Sequence, residues 1–196
     1  ENNVFYGINT GFGYLQNVKI NANELEELQY NLLKSHACGL GDEVPLEIVK
    51  LMMVLKIKSL SYGYSGVQAQ TVQRLAAMYN EGVYPVVYTQ GSLGASGDLA
   101  PLSHLCLPII GLGEVWYKGQ KMPAAQALAQ LGWEPVHLKS KEGLALINGT
   151  QFMSAYGTWC LIQAKKLALW SDVIAAVSLE AFDGRTEPFK PHIHSI

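Results

Sequence analysis

Residues 150–182, TQFMSAYGTWCLIQAKKLALWSDVIAAVSLEAF, read as one helical stretch whose only charges are Lys165, Lys166, Asp172 and Glu180. A helix that is apolar nearly all round has no face suited to water and must be enclosed by other helices. The remainder of the chain supplies candidates. Residues 21–36 place Leu25, Leu28, Leu32 and Leu33 on one stripe, with Glu24, Glu26 and Glu27 in the first turns and Gly39 as a stop. A second helix starts at Pro45 and runs through LEIVKLMMVLKIKSLSYGY, apolar on more than one face and so buried. A third covers about 67–79 and ends before Asn80 and Gly82. EVWYKGQKM, turning at Lys118-Gly119, is a hairpin, and a short helix follows from Ala124 to Leu131, closed by Gly132. The expected architecture is mainly α: a helical bundle with long buried helices and small loop and hairpin decorations. No repeat or linker interrupts it, so residues 1–196 read as one partial domain, a portion of a longer chain.

Charge narrows the class. Charged residues are 15% of the chain, against about a quarter in ordinary soluble domains, while hydrophobic residues are 49%. Too little of this surface is suited to water, which implies extensive oligomerisation or a segment of something longer. The ends, ENNVFYGINTGFG and PHIHSI, favour the segment. A net charge of −2 gives no electrostatic footprint for nucleic acid or an anionic membrane. No uncharged apolar run approaches the ~18 residues of a membrane span, and no signal peptide precedes the first element. Cys38, Cys106 and Cys160 are odd in number and far apart, which points to a reduced, cytoplasmic setting with the thiols packed as small hydrophobes.

The segment GSLGASGDLAPLSH, Gly91 to His104, holds three glycines in seven residues. It lacks the Lys-Ser/Thr ending of a P-loop, and its glycine spacing is not that of a dinucleotide-binding turn. A plain loop has no need of Ser96 between Ala95 and Gly97. A third reading is chemical. A glycine nitrogen is unshielded, and glycine tolerates the contorted backbone needed to fold a chain onto itself. The Gly97 nitrogen could attack the Ala95 carbonyl and close a five-membered ring. Loss of one water there and of the Ser96 hydroxyl as a second would leave an exocyclic methylidene, an electrophile that no ordinary side chain supplies.

GSLGASGDLAPLSH resembles the signature of the histidine and aromatic amino-acid ammonia-lyase family, which builds a methylidene-imidazolone (MIO) from Ala-Ser-Gly. YGINTGFG at 6–13, SHACGLG at 35–41, GYSGVQ at 63–68 and KEGLALINGTQ at 141–151 extend the resemblance along almost the whole chain. The fumarase and aspartase group is not supported, because its substrate-loop signature is absent. The resemblance implies a helix-rich homotetramer with a loop-borne active site, a small amino-acid substrate and an MIO formed autocatalytically from Ala95-Ser96-Gly97. It also implies that part of the family chain lies before the Tyr6 loop and beyond Ile196, including a second tyrosine, a carboxylate-binding arginine and a glutamate near the substrate amine.

Residue roles follow from the same resemblance. Tyr6 matches the tyrosine that takes the substrate β-proton; taken alone it is a loop aromatic in a glycine-rich turn. Asn148 matches the asparagine beside the MIO and substrate; taken alone it caps the long helix that follows. Asp98 and Pro101 lie where a helix begins just after the triad, whose N–H groups would favour negative charge on the ring. Ser35-His36 resembles the pair of histidine-specific members, although by itself His36 suits the end of a helix dipole. The implied reaction is L-histidine to urocanate. Tyrosine or phenylalanine lyases, aminomutases and a non-catalytic helical assembly module are the alternatives. His192 and His194 would face one way on an extended strand, but two histidines without a third partner make no metal site. Two positions depart from the family pattern: Lys56 and Gln68 stand where arginines are common.

Overall fold

The computed structural model describes residues 5–21 and 24–195, and the chain divides into two compact units, one ending at Tyr156 and the other starting at Gly157. In the first unit, helix α1 (Leu25–His36) buries Leu32 and Leu33, with Glu26 and Glu27 in its first turn and Lys34 and His36 in its last. Those charges match the helix dipole at both ends. The helix begins later than expected, and residues 22–23 of the expected range lie outside those described. Its end at His36 is where the sequence places it, with the chain leaving helical geometry at Ala37, two residues before Gly39.

Helix α2 (Leu46–Ser61) is buried on more than one side, as its sequence implies: Ile48, Val49, Met52, Met53 and Leu60 are all in the core. Pro45 sits just outside as its N-cap, with extended ψ, rather than inside the first turn. Helix α3 (Ala69–Asn80) packs against α2 through Leu75 and Met78. Strand β1 (Leu40–Glu43) pairs antiparallel with β3 (Tyr88–Gln90). Short β2 (Tyr84–Pro85) adds to the hairpin of β4 (Glu114–Tyr117) and β5 (Gln120–Pro123), which turns at Lys118 and Gly119 as expected. Helix α4 (Leu99–Cys106) starts directly after the glycine-rich loop, and α5 (Ala124–Gln130) follows the hairpin. Helix α6 (Glu142–Ile147) is a six-residue piece that packs on both α1 and α4.

Helix α7 (Gln151–Ala181) has the expected extent within one residue at each end. Its expected enclosure is not met among the described residues. Ala155 alone is buried, and Trp159, Leu161, Ile162, Leu167, Leu169, Trp170, Ile174 and Val177 are exposed. The physical reason lies in the second unit's content: beyond the helix it holds only short 3-10 turns at Glu187–Phe189 and Pro191–Ile193, too little to wrap an apolar rod. Exposed apolar surface on this scale marks an interaction face. The isolated 196-residue chain is therefore expected to self-associate or precipitate. A monodisperse monomer in sedimentation velocity would contradict this.

Two smaller expectations are also corrected. Only Cys106 packs as a core hydrophobe; Cys38 and Cys160 are exposed, because their positions fall on a loop and on the uncovered helix. His192 lies in a 3-10 turn that His194 caps, not on a strand, and the His194 ring is 3.0 Å from the Pro188 carbonyl. Among the described residues no group of three His, Cys, Asp or Glu side chains is placed to hold a metal, and no helix is long and apolar enough to cross a membrane.

Candidate active site

The glycine-rich segment joins β3 to α4, and its backbone doubles back: Gly94 and Ala95 both bridge to Gly97. Gly97 has φ +97, a region that side-chain-bearing residues avoid. A Cβ there would also stand 2.5 Å from the Gly149 carbonyl oxygen, so glycine is required twice over. Asp98 fixes this arrangement. Its backbone N–H donates to Gly149 O at 2.7 Å. Its buried carboxylate accepts from Ser92 Oγ at 2.9 Å and from the Met153 N–H, in the first turn of α7, at 3.0 Å.

A cavity of about 310 Å³ opens beside the loop, lined among others by Ser35, His36, Cys38, Ala95, Ser96 and Gly97. Its volume is within the range of small-molecule sites. His36 closes α1, and its Nδ1 lies 2.8 Å from Leu32 O. A carbonyl can only accept, so in this contact His36 Nδ1 is the donor, and Nε2 is the ring nitrogen not engaged by Leu32. The helix-end reading of His36 and its place in the cavity hold together.

Tyr6 and Asn148 are not among the residues lining this cavity. Tyr6 is 55% exposed, with its ring edge-on to Phe12 at 6.1 Å between centroids. Its loop is nonetheless well defined. Thr10 is buried; its Oγ1 accepts from the Gly7 N–H and donates to Gly11 O. The Leu144 side chain of α6 fills the space where a Cβ on residue 7 would stand. Asn148 is exposed and terminates α6 as its C-cap, so it does not cap α7, which starts at Gln151. The extended backbone at Asn148 and the positive φ of Gly149 separate the two helices. Asn148 is thereby one residue from the group that abuts Gly97.

A model of the family described as aromatic amino acid lyase matches residues 1–196. The chain belongs to that family. Histidine ammonia-lyase of Geobacillus thermodenitrificans is 52% identical over 96% of this chain, which spans 38% of that relative's length. The crystal structure of histidine ammonia-lyase from Trypanosoma cruzi superposes with a TM-score of 0.89 at 40% identity, covering 97% of this chain and 37% of that one. Phenylalanine aminomutase from Pantoea agglomerans superposes with a TM-score of 0.91 at 35% identity, covering 98% and 37%.

Within this aromatic amino acid lyase fold, Gln68, the N-cap of α3, and Lys56 of α2 both hydrogen-bond to α6 or its cap. The Gln68 side-chain amide donates to Glu142 Oε2 at 2.6 Å and to His137 O at 3.1 Å. The buried Glu142 carboxylate also accepts from the Gln68 N–H, Thr71 Oγ1 and the Lys139 N–H, which anchors the start of α6. At the other end, Lys56 reaches from α2 and donates to Ala145 O and Asn148 O, both at 2.8 Å. Burial pushes the Lys56 ammonium down to about 8 and the neighbouring Cys106 thiol up to about 12. A lysine in an apolar helix gives no sign in the sequence of carbonyl partners some ninety residues away.

Proposed function

We propose that the full-length protein carrying this segment eliminates ammonia from L-histidine to give urocanate, using an MIO formed from Ala95, Ser96 and Gly97. The observation that carries the reading is the doubled-back Ala95–Gly97 backbone in a cavity that also receives His36. The residues fit the group: Gly97 has neither a side chain nor space for one, and its φ suits a backbone folded towards its own preceding carbonyl. In ring closure the Gly97 nitrogen bonds to the Ala95 carbonyl carbon with loss of one water. The second water takes the Ser96 hydroxyl and its Cα hydrogen.

Once formed, the MIO supplies an electrophilic carbon that converts the substrate amine into a leaving group. The chain's own residues handle the rest. Tyr6 takes the β-proton as general base. His36, with Nε2 unprotonated, accepts a hydrogen bond from the substrate imidazole and so selects a polar ring. Asn148 offers an amide to the substrate at the margin of the triad. The N–H groups opening α4, just after Asp98, favour negative charge beside residues 95–97. A homotetramer would cover the apolar surface of α7, and the three free cysteines suit a reducing, cytoplasmic compartment.

Lyase and aminomutase readings share this constellation, and the Pantoea aminomutase superposes as closely as the histidine lyase. Full-length protein offered histidine, tyrosine and phenylalanine separately is expected to release an absorbing unsaturated acid and ammonia fastest from histidine. A β-amino acid as main product would establish the mutase reading instead, and no product from any of the three would leave only an assembly module. His36→Leu is expected to lower kcat/KM for histidine by roughly 5- to 150-fold, the ~1–3 kcal/mol of an unpaired buried polar group, and to affect phenylalanine less. Equal loss on both substrates would make His36 a structural helix-end residue.

A further inference from the structure

We propose that Lys56 is a positioning residue for the active site: its buried Nζ holds the end of α6, and through it Asn148 and Gly149, against the Ala95–Gly97 loop. The inference rests on the functional reading above. Lys56 is 1% exposed on a helix whose other buried positions are apolar or methionine. Among the described residues no carboxylate lies within ion-pair distance of it. Burying an ammonium without a counter-charge opposes folding, and an apolar side chain of similar length would fill the same volume without that cost. Two carbonyls, Ala145 O and Asn148 O, are what Lys56 holds in return. Both belong to the C-terminal end of α6, where helix carbonyls carry partial negative charge.

The significance of that end lies in its contacts. Gly149 O accepts from Asp98 N–H, and its backbone abuts Gly97. The same short helix presses Leu144 against Gly7 beneath the Tyr6 loop. Gly143 N–H donates to Gln29 Oε1 of α1, the helix that ends in His36. Helix α6 and the Asn148-Gly149 link that ends it thus touch the Tyr6 loop, the helix that carries His36 and the Ala95–Gly97 loop. It is too short to hold its own geometry, since isolated helices of one or two turns are unstable in water. Glu142 fixes its start, and Lys56 fixes its finish.

The test uses full-length protein with Lys56→Met and Lys56→Arg, read by thermal unfolding, by intact mass at residues 95–97, and by kcat and KM for histidine. Lys56→Met is expected to stay folded. Its kcat/KM per matured chain should fall at least about tenfold, because misplacing a positioned group by ~1 Å can cost 10²-fold. Part of the population should also lack the two-water mass loss. Lys56→Arg, which restores a cation with several donors, is expected to recover both readouts. Full mass loss with wild-type kcat/KM in Lys56→Met would overturn the assignment, as would an arginine variant no better than the methionine one. Should Lys56→Met fail to fold, Lys56→Gln keeps two donors on a shorter neutral arm. Intermediate values there support the assignment and wild-type values overturn it. An inactive wild type would instead overturn the functional reading.

Discussion

Replacing Ser96 by alanine is expected to reduce the proposed turnover of the full-length protein to background and to leave its mass at the unprocessed value. The reason is stoichiometric. Ring closure draws its nucleophile from Gly97 and its carbonyl from Ala95, but the methylidene arises only if a hydroxyl leaves the residue between them. Alanine at 96 has no hydroxyl to lose, so no electrophile forms and the amine stays a poor leaving group. The substitution removes one oxygen from a residue exposed on the cavity wall. The fold should therefore survive, and unfolding should begin at the same temperature as in wild type. Substantial turnover in Ser96→Ala would mean that the chemistry does not pass through this loop.

Tyr6→Phe separates the base from the electrophile. Its ring is exposed and packs edge-on against Phe12, a contact that phenylalanine preserves. The proposed ring closure draws its atoms only from residues 95–97, so the mass loss should be complete. Turnover should nevertheless fall by the ~10²–10⁴-fold associated with losing a positioned general base. Near-normal turnover with a complete ring would remove Tyr6 from the proton-transfer step.

Much of the architecture was legible from local signals. Apolar spacing located α1, α2 and α3 to within a few residues, and Lys118-Gly119 announced the hairpin. The glycine-rich loop was legible because its unusual composition needs a reason, and its doubled-back course agrees with the chemical one. Other features depended on distant parts of the chain. Strands β1 and β2 are short and pair with segments tens of residues away, so no periodicity marks them. Helix α6 is too short for a periodic pattern, and Asn148 therefore looked like the start of α7 when it is the end of α6. Lys56 and Glu142 resemble solvated charges in sequence, yet each is buried by partners supplied from other elements. The enclosure of α7 could not be judged from its own residues, because what covers an apolar helix is a property of its neighbours.

Whether Ala95, Ser96 and Gly97 become a ring decides the account, and one mass measurement addresses it. Full-length protein, digested and mapped across residues 91–104, is expected to give a segment lighter than its sequence by two waters, with the difference confined to 95–97. The Ser96→Ala segment should lack that loss. An unshifted wild-type segment, in protein that is folded and assembled, would contradict the central claim.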